Sequence, residues 1–373
     1  NGIYDVVSVA PGPISNTHFF AGTWNSGVVE FLDNSMINHY TDSATALRVA
    51  IDDNGNETEY IRVGGLDYDV HGNMWMTNSS TNKPLIKYSG EEWNSFDLQT
   101  GGSMSGKILC TNNNQYWIQL RKNGLVVARE VSLVNSLGVA YTEIESVAIK
   151  ENDGLESNTV NCFAEDNEGS VWVGTSLGLS VCYLPNNIFN SSAYRAEPIL
   201  VNTEDGYVEK LFENTEILDI HVDGGNRKWV ATKSNGVFLI SDDGSETIHH
   251  FTKENSPLLD NTISQICILE DSGEVFFLTG SGVCSYRSNA TKSKNTFEDV
   301  IVFPNPVKRG YAGEIAITGL SDNTNVKVTD ISGNLVFETR SVGGTATWNG
   351  RKFNGEKVAT GVYLFLCTNV DFT

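Results

Sequence analysis

The sequence has few basic residues for its length, which limits the partners that it can bind. Its 25 Lys and Arg stand against 46 Asp and Glu, and the formal net charge is −21. Nucleic-acid binding depends on clustered Lys and Arg that neutralise phosphates, so the composition argues against a nucleic-acid partner. A direct anionic ligand would need a local basic pocket or a bridging cation.

Long apolar runs are also missing. No run approaches the roughly 20 residues that a membrane helix needs, so the sequence predicts no transmembrane segment. The first residues, Asn1-Gly2-Ile3-Tyr4-Asp5, lack the basic region and the apolar core of a signal peptide. We therefore expect a mature or trimmed sequence.

Patterns of metal ligands and disulfides are absent as well. The six histidines fall in no zinc or nucleophile pattern, and we predict neither a metal nor another cofactor. Cys162 and Cys182 lie in the first and third strands of one predicted repeat, as Cys267 and Cys284 do in another. Such strands are roughly 9–10 Å apart, beyond disulfide reach, so we expect buried thiols.

Glycine is abundant, and it marks a turn that recurs through the first three quarters of the chain. In the clearest copy, Asp166 can bond its own backbone, Gly169 supplies a positive φ, and Trp172 fills the space between neighbouring sheets. The aligned aromatic residues are Phe20, Trp75, Trp117, Trp172, Trp229 and Phe276. Their spacing, between 42 and 57 residues, is the period of a propeller blade.

Each unit continues with a third strand after a turn and, in most units, with a fourth strand such as Ile248-His249-His250-Phe251. Four antiparallel strands per unit, repeated radially, make a β-propeller. We predict an all-β protein whose residues 1–290 form a propeller with six readable blades. The chain is polar after Tyr286, so we expect the closing strand, or a further blade, to come from residues outside this sequence.

The tail differs from the propeller in both pattern and charge. Residues 291–302 are predicted to be a linker, and residues 303–373 a small immunoglobulin-like β-sandwich, because short strands alternate with Asx and Gly turns. Residues 1–302 hold 18 Lys and Arg against 40 Asp and Glu, whereas residues 303–373 hold 7 against 6. The two parts therefore present different electrostatic fields to a partner.

Several tail motifs occur in the order found in a known family. They contain Pro304, Asn305, Pro306, Asp330, Gly333, Trp348, Gly361 and Tyr363. With these motifs the tail resembles the C-terminal sorting domain of type IX secretion cargo, whose fold is similar to that of flagellar hook-capping proteins. The resemblance implies one more strand after Leu366, with basic residues, and the chain departs from it by ending at Thr373.

The blades taken alone resemble the two-component-regulator propellers of Bacteroidetes sensor proteins. The combination with the tail is similar to a surface component of the type IX secretion system. This resemblance implies seven blades and a location at the outer membrane, the cell surface or the periplasm of a Gram-negative bacterium. It also implies a non-catalytic role in the machinery that attaches cargo to anionic lipopolysaccharide. Partners would then be envelope or secretion proteins, or surface lipopolysaccharide or another glycan.

Polar residues on two innermost strands form the candidate ligand site. Asp67 lies on the inner strand of the second unit, and Asp219 and His221 lie on that of the fifth. Inner strands line the central channel of a propeller, so these side chains could bind a ligand or an ion there. The alternative is a solvated funnel.

Two other functions remain open. One is a periplasmic glycan-sensing module of a hybrid two-component system, which would continue into a different β-sandwich, a membrane helix and a kinase. The other is a glycan-active propeller enzyme, which would need an arginine cluster and paired carboxylates that the sequence does not display.

Overall fold

The computed structural model of the protein describes residues 3–12, 14–99, 104–202, 205–297 and 299–369. The chain forms two compact units, residues 1–217 and 218–373, which are described separately. Regular structure in the described ranges consists of β-strands and two short 3-10 helices, Glu151–Asp153 and Pro185–Phe189. The predicted all-β class is confirmed, and the fold is a β-propeller followed by a β-sandwich.

The first unit contains four antiparallel sheets of four strands, here named blades 1 to 4. Blade 1 comprises β1 (Val6–Pro11), β2 (Phe19–Thr23), β3 (Val28–Leu32) and β4 (Ser35–Tyr40). Blade 2 comprises β5 (Val63–Tyr68), β6 (Met74–Asn78), β7 (Leu85–Tyr88) and β8 (Trp93–Phe96). Blade 3 comprises β9 (Ser105–Cys110), β10 (Gln115–Leu120), β11 (Leu125–Val134) and β12 (Ala140–Ile149). Blade 4 comprises β13 (Val160–Glu165), β14 (Val171–Thr175), β15 (Leu179–Cys182) and β16 (Glu197–Pro198), and a hairpin of β17 (Leu200–Asn202) and β18 (Val208–Lys210) follows it.

The second unit contains two further blades and the sandwich. Blade 5 comprises β19 (Ile217–Val222), β20 (Lys228–Thr232), β21 (Val237–Ile240) and β22 (Thr247–Phe251). Blade 6 comprises β23 (Ile263–Leu269), β24 (Glu274–Thr279) and β25 (Gly282–Arg287). The sandwich strands are β26 (Ile301–Phe303), β27 (Ile315–Thr318), β28 (Asn325–Asp330), β29 (Leu335–Arg340), β30 (Thr345–Trp348) and β31 (Tyr363–Thr368). They form two sheets, in the orders β26-β27-β30 and β29-β28-β31.

The recurring tryptophans are the largest buried side chains of the propeller. Trp75, Trp117, Trp172 and Trp229 are each 1% exposed or less. Two of them pack on an aromatic ring of the following blade. Trp75 stacks on Tyr116 with ring centroids 3.8 Å apart, and the ring centroids of Trp229 and Phe277 are 5.4 Å apart. These two tryptophans therefore fill space between neighbouring sheets.

Blades 1 and 6 each keep an uncovered apolar face. On β1 of blade 1, Val6 and Val9 are exposed, and on β24 of blade 6 Leu278 is exposed while Phe276 is only half-buried. Cys267 on β23 pairs with Phe276 and is exposed, so the prediction of a buried thiol is wrong there. The reason is that no described residue of the second unit covers this side of blade 6. A seventh blade stays a prediction.

In blades 2 and 4 the turn before the aromatic strand is held by the aspartate that begins it. Asp166 Oδ1 accepts hydrogen bonds from the backbone N–H groups of Glu168 (3.1 Å) and Ser170 (2.9 Å), and its Oδ2 accepts one from Trp172 Nε1 at 2.8 Å. Asp69 makes the same three contacts in blade 2, with Trp75 Nε1 at 2.9 Å. One carboxylate thus fixes both the turn and the orientation of the indole.

Blades 3 and 5 keep the tryptophan but depart from this arrangement. In blade 3, Thr111 replaces the aspartate, and in blade 5 Arg227 donates to Asp223 Oδ2 from Nε (2.9 Å) and Nη2 (2.7 Å). In both blades the indole N–H, on Trp117 and Trp229, has no acceptor among the described residues. Burial of these rings therefore does not require the indole hydrogen bond.

The segment after blade 6 is packed rather than extended into solvent. Gly344 N donates to Thr291 O (2.8 Å), and the hydroxyls of Thr291 and Thr345 lie 2.7 Å apart. A Cβ on Gly224 of blade 5 would lie 2.0 Å from Thr291 O, so this contact requires glycine. The division of the chain into a propeller that ends at residue 290, a linker that ends at residue 302 and a sandwich stays a prediction.

We predict that Asp166→Ala lowers the free energy of unfolding by about 2–3 kcal/mol, because three donors lose their acceptor, two of them on buried residues. Urea unfolding followed by tryptophan fluorescence measures this change. The control is Asp52→Ala, since Asp52 accepts the same two backbone bonds, from Asn54 and Asn56, in an exposed turn without an indole. This substitution should cost clearly less than Asp166→Ala. Equal losses in both variants would contradict the assigned role of burial and the indole bond.

Candidate functional site

Asp67 joins blade 2 to blade 3. Its Oδ2 accepts the backbone N–H of Cys110 at 2.7 Å, and its Oδ1 accepts that of Tyr68 at 2.9 Å. The two inner strands approach closely, since a Cβ on Gly65 would lie 2.6 Å from Ile108 N. Burial raises the pKa of Asp67 from 3.8 to about 6, although both backbone bonds oppose this shift.

Asp219 has the corresponding role in the second unit. Its Oδ2 accepts the backbone N–H of Ile266 on β23 at 2.9 Å and lies 3.4 Å from His221 Nε2. Asp219 is buried, whereas the His221 side chain is 43% exposed. The structure therefore brings Asp219 and His221 together and leaves the imidazole open to solvent. Asp67 belongs to the other unit.

Other polar side chains also bond the backbone of a neighbouring blade. Glu165 of blade 4 accepts the backbone N–H of Asn112 at 2.9 Å, and burial raises the pKa of this carboxyl. Gln119 of blade 3 donates to Val160 O at 2.5 Å. Glu165 was missed as an inner-strand acid, although it directly precedes the turn aspartate. These contacts support a structural use of the inner-strand carboxylates, at the seams between blades.

A cleft on blades 3 and 4 was not predicted from the sequence. It has a volume of about 350 Å³ and is lined by Val147–Ile149 of β12 and by residues of the 188–195 segment. The signal for it is the connection 183–196 between β15 and β16, which is longer than the corresponding loops of the other blades. A second cleft of about 460 Å³ contains Glu151, Glu156 and Lys210.

The two clefts offer little net positive charge. In the first, Arg195 Nη1 lies 3.6 Å from Asp153 Oδ1. In the second, Lys210 Nζ lies 2.8 Å from Glu156 Oε1, and Glu151 adds a further negative charge. Neither cleft is therefore the basic pocket that a directly bound anion requires. Within the described ranges, no three His, Cys, Asp or Glu side chains are placed to hold a metal ion.

The tail motif residues serve the fold of the sandwich. Trp348 is buried, meets Tyr363 edge to face at 5.4 Å, and donates from Nε1 to Arg351 O at 2.8 Å. Asp330 Oδ1 accepts the backbone N–H groups of Ser332 and Asn334, and the turn contains Gly333 with φ 83°. Pro304, Asn305 and Pro306 follow β26, and Gly361 precedes β31.

Two family models match the sequence. Residues 301–371 match the secretion system C-terminal sorting domain, and residues 154–176 match the two component regulator propeller repeat. A comparison with curated proteins finds no match. No helix in the described part of the chain is long and apolar enough to cross a membrane. The fold and the sorting domain together define an exported β-propeller protein of the outer membrane or cell surface.

Within that class the chain is PorZ-like. It is 27% identical to PorZ of Porphyromonas gingivalis, described as a bacterial surface component of the type IX secretion system, with a TM-score of 0.67. The match covers 99% of this chain and 51% of PorZ, so the chain spans about half the length of that protein.

Two further solved structures match the chain at lower similarity. The extracellular domain of a proposed one-component system from B. thetaiotaomicron is 15% identical, with a TM-score of 0.39, and the match covers 97% of this chain and 56% of that one. Virginiamycin B lyase from Staphylococcus aureus is 12% identical, with a TM-score of 0.41, and the match covers 75% of this chain and 94% of the lyase.

We predict that Asp67→Asn changes how stability depends on pH. The folded protein holds the Asp67 proton more tightly than the unfolded chain does, because the pKa of Asp67 is raised in the folded state. Protonated Asp67 therefore makes its full contribution to the free energy of unfolding below pH 4, and this contribution is lost as the pH rises through about 6. The variant lacks this loss and should gain about 1–3 kcal/mol relative to wild type between pH 4 and pH 7. Urea unfolding at both pH values measures it. Asp53→Asn, in an exposed loop, is the control, and a constant wild-type-to-variant difference would contradict the prediction.

Proposed function

We propose that this chain is part of a non-enzymatic binding and scaffolding protein of the type IX secretion machinery. The observation that supports this most is the similarity to PorZ over 99% of the chain, including a C-terminal region that matches a sorting domain. The proposed location is the cell surface, and the proposed partners are envelope or secretion proteins, or surface lipopolysaccharide.

The charges of the chain favour some of these partners over others. The net charge of −21 and the neutral or acidic clefts disfavour direct contact with the phosphates of lipopolysaccharide. A polypeptide or the uncharged sugar units of a glycan fit these surfaces better. His221 is the candidate for ligand contact at the inner strands, since its ring is partly exposed while Asp67 and Asp219 bond neighbouring blades.

A sensor module is the second candidate function. The match of residues 154–176 to the two component regulator propeller repeat favours it. The sorting-domain match at residues 301–371 argues against it, because a sensor would continue toward a membrane helix and a kinase. A glycan-active enzyme is the weakest candidate, because Asp67 and Asp219 both accept backbone hydrogen bonds from neighbouring blades.

Fractionation of cells that make the tagged full-length protein tests the proposal. We expect the protein in the outer-membrane fraction, accessible to protease on intact cells, and we expect envelope proteins or lipopolysaccharide to co-purify with it. Recovery only in the inner membrane would overturn the secretion function and favour the sensor. Turnover of acidic glycans that is lost on changing Asp67 or His221 would favour the enzyme.

A substitution in the sandwich tests whether the surface location of the protein depends on a folded tail. Trp348→Ala removes a buried side chain, which costs about 3–5 kcal/mol and should unfold the small sandwich. We expect this variant to lose its surface location, as measured by protease accessibility on intact cells. Phe353→Ala removes an exposed aromatic residue of the same domain and should keep the location. Wild-type surface levels of a Trp348→Ala protein with an unfolded tail would contradict a sorting role.

A further inference from the structure

The outer hairpin of blade 3 is longer than that of any other described blade. Strands β11 and β12 pair through ten consecutive residues, from Leu125 with Ile149 to Val134 with Ala140. The first pairs are buried in the propeller core, whereas residues 132–143 are all exposed. We call these exposed residues the arm. It projects beyond the core as a continuous two-stranded ribbon.

The base of the arm is fixed on both faces. On one face, Glu130 accepts hydrogen bonds from Lys87 Nζ of blade 2 at 2.8 and 2.9 Å. On the other face, Arg129 pairs with Glu145 at 2.7 Å and lies 4.2 Å from the ring centroid of Phe189. These contacts fix the direction of the ribbon at its base. The tip therefore points into solvent and does not fold back onto the blades.

The tip of the arm is apolar and exposed. Leu137 is 85% exposed, Val134 is 68% exposed and Val139 is 58% exposed. The loop itself is ordered by Asn135, whose Oδ1 accepts the backbone N–H groups of Leu137 (2.9 Å) and Val139 (3.0 Å). Exposed apolar residues grouped at the end of a projecting element are typical of an interaction site.

The outer edge of β12 lacks three features that often protect a strand edge, namely a bulge, proline and basic side chains. β12 is the last strand of its sheet, and its outer edge has no partner strand in the described ranges. Its pairing with β11 contains no bulge, whereas the outer pairs of blades 1 and 5 are each interrupted by one. Its sequence, AYTEIESVAI, contains no Pro, Lys or Arg. A long, regular edge of this kind is a template for an added strand.

The charges on the arm determine which added strand fits. Residues 130–149 contain three glutamates and no basic residue. Glu130 and Glu145 are paired with Lys87 and Arg129, which leaves Glu143 as the exposed charge beside Tyr141 on the same face. We propose that the arm docks an extended segment of a partner polypeptide, which adds to the edge of β12 with a Lys or Arg opposite Glu143 and with apolar residues beside it.

Two other occupants fit the arm less well. Antiparallel pairing of two copies in the register centred on Glu143 would place Glu143 against Glu143 of the second copy, and like charges in cross-strand pairs are destabilising. An anionic membrane surface would repel an arm whose uncompensated charge is negative. Strand addition to a basic segment instead satisfies both the open backbone and the charge.

Binding of a labelled peptide to the purified chain tests this proposal. The probe is the peptide VTVTKTVTV, with VTVTETVTV as its charge-reversed form, and fluorescence anisotropy measures the dissociation constants. We expect one-to-one binding of the Lys peptide, at least about tenfold tighter than binding of the Glu peptide. Glu143→Lys should reverse this preference, whereas Glu168→Lys, on an exposed turn of blade 4, should keep it.

N-methylation of the peptide separates strand addition from non-specific attraction without changing the protein. Methyl groups on the alternate amides of one peptide edge should abolish binding, and those of the other edge should leave it intact. Equal binding of both methylated forms, or of the Lys and Glu peptides, would overturn the proposal, as would no binding of the Lys peptide. Dimerisation, or binding to anionic vesicles of phosphatidylcholine and phosphatidylglycerol, that is lost in a Leu137→Ser variant would overturn it too.

Discussion

One carboxylate that organises a turn is the interaction on which both the propeller and the sandwich depend. An aspartate accepts the backbone N–H groups two and four residues ahead, while a residue with positive φ between them reverses the chain. Asp166 does this in blade 4 and Asp330 does it in the sandwich. In blades 2 and 4 the same carboxylate also reaches the indole of the following strand, which connects the turn to the packing between sheets.

The sequence predicted the sheets of the propeller because a turn and an aromatic residue recur at the spacing of a propeller blade. It did not predict the arm, since residues beyond the core no longer need to alternate between a buried and a wet face. It did not predict the cleft either, because the connection 183–196 contains no repeated element. Asp67 and Asp219 were predicted on inner strands, but their bonds to the next blade depend on how closely two blades approach. Gly65, next to β9, is the sequence feature that marks such an approach.

The acidic composition is used in two different ways. Inside the propeller, carboxylates such as Asp67 and Glu165 accept backbone hydrogen bonds across the seams, and burial raises the pKa of both groups. On the surface, acidic groups keep the clefts neutral or negative. The basic residues that line the clefts are already near acidic partners. This distribution suits contacts with proteins and neutral sugars better than contacts with anionic surfaces.

The packed segment at Thr291 has a mechanical consequence. Gly344 bonds to its carbonyl oxygen, Lys292 N bonds to Glu270 O of the blade 6 turn, and Gly224 of blade 5 touches it without a side chain between. Among the described residues, this segment therefore contacts the sandwich and both blades directly. A force applied to the tail would therefore be transmitted to blades 5 and 6 through these contacts.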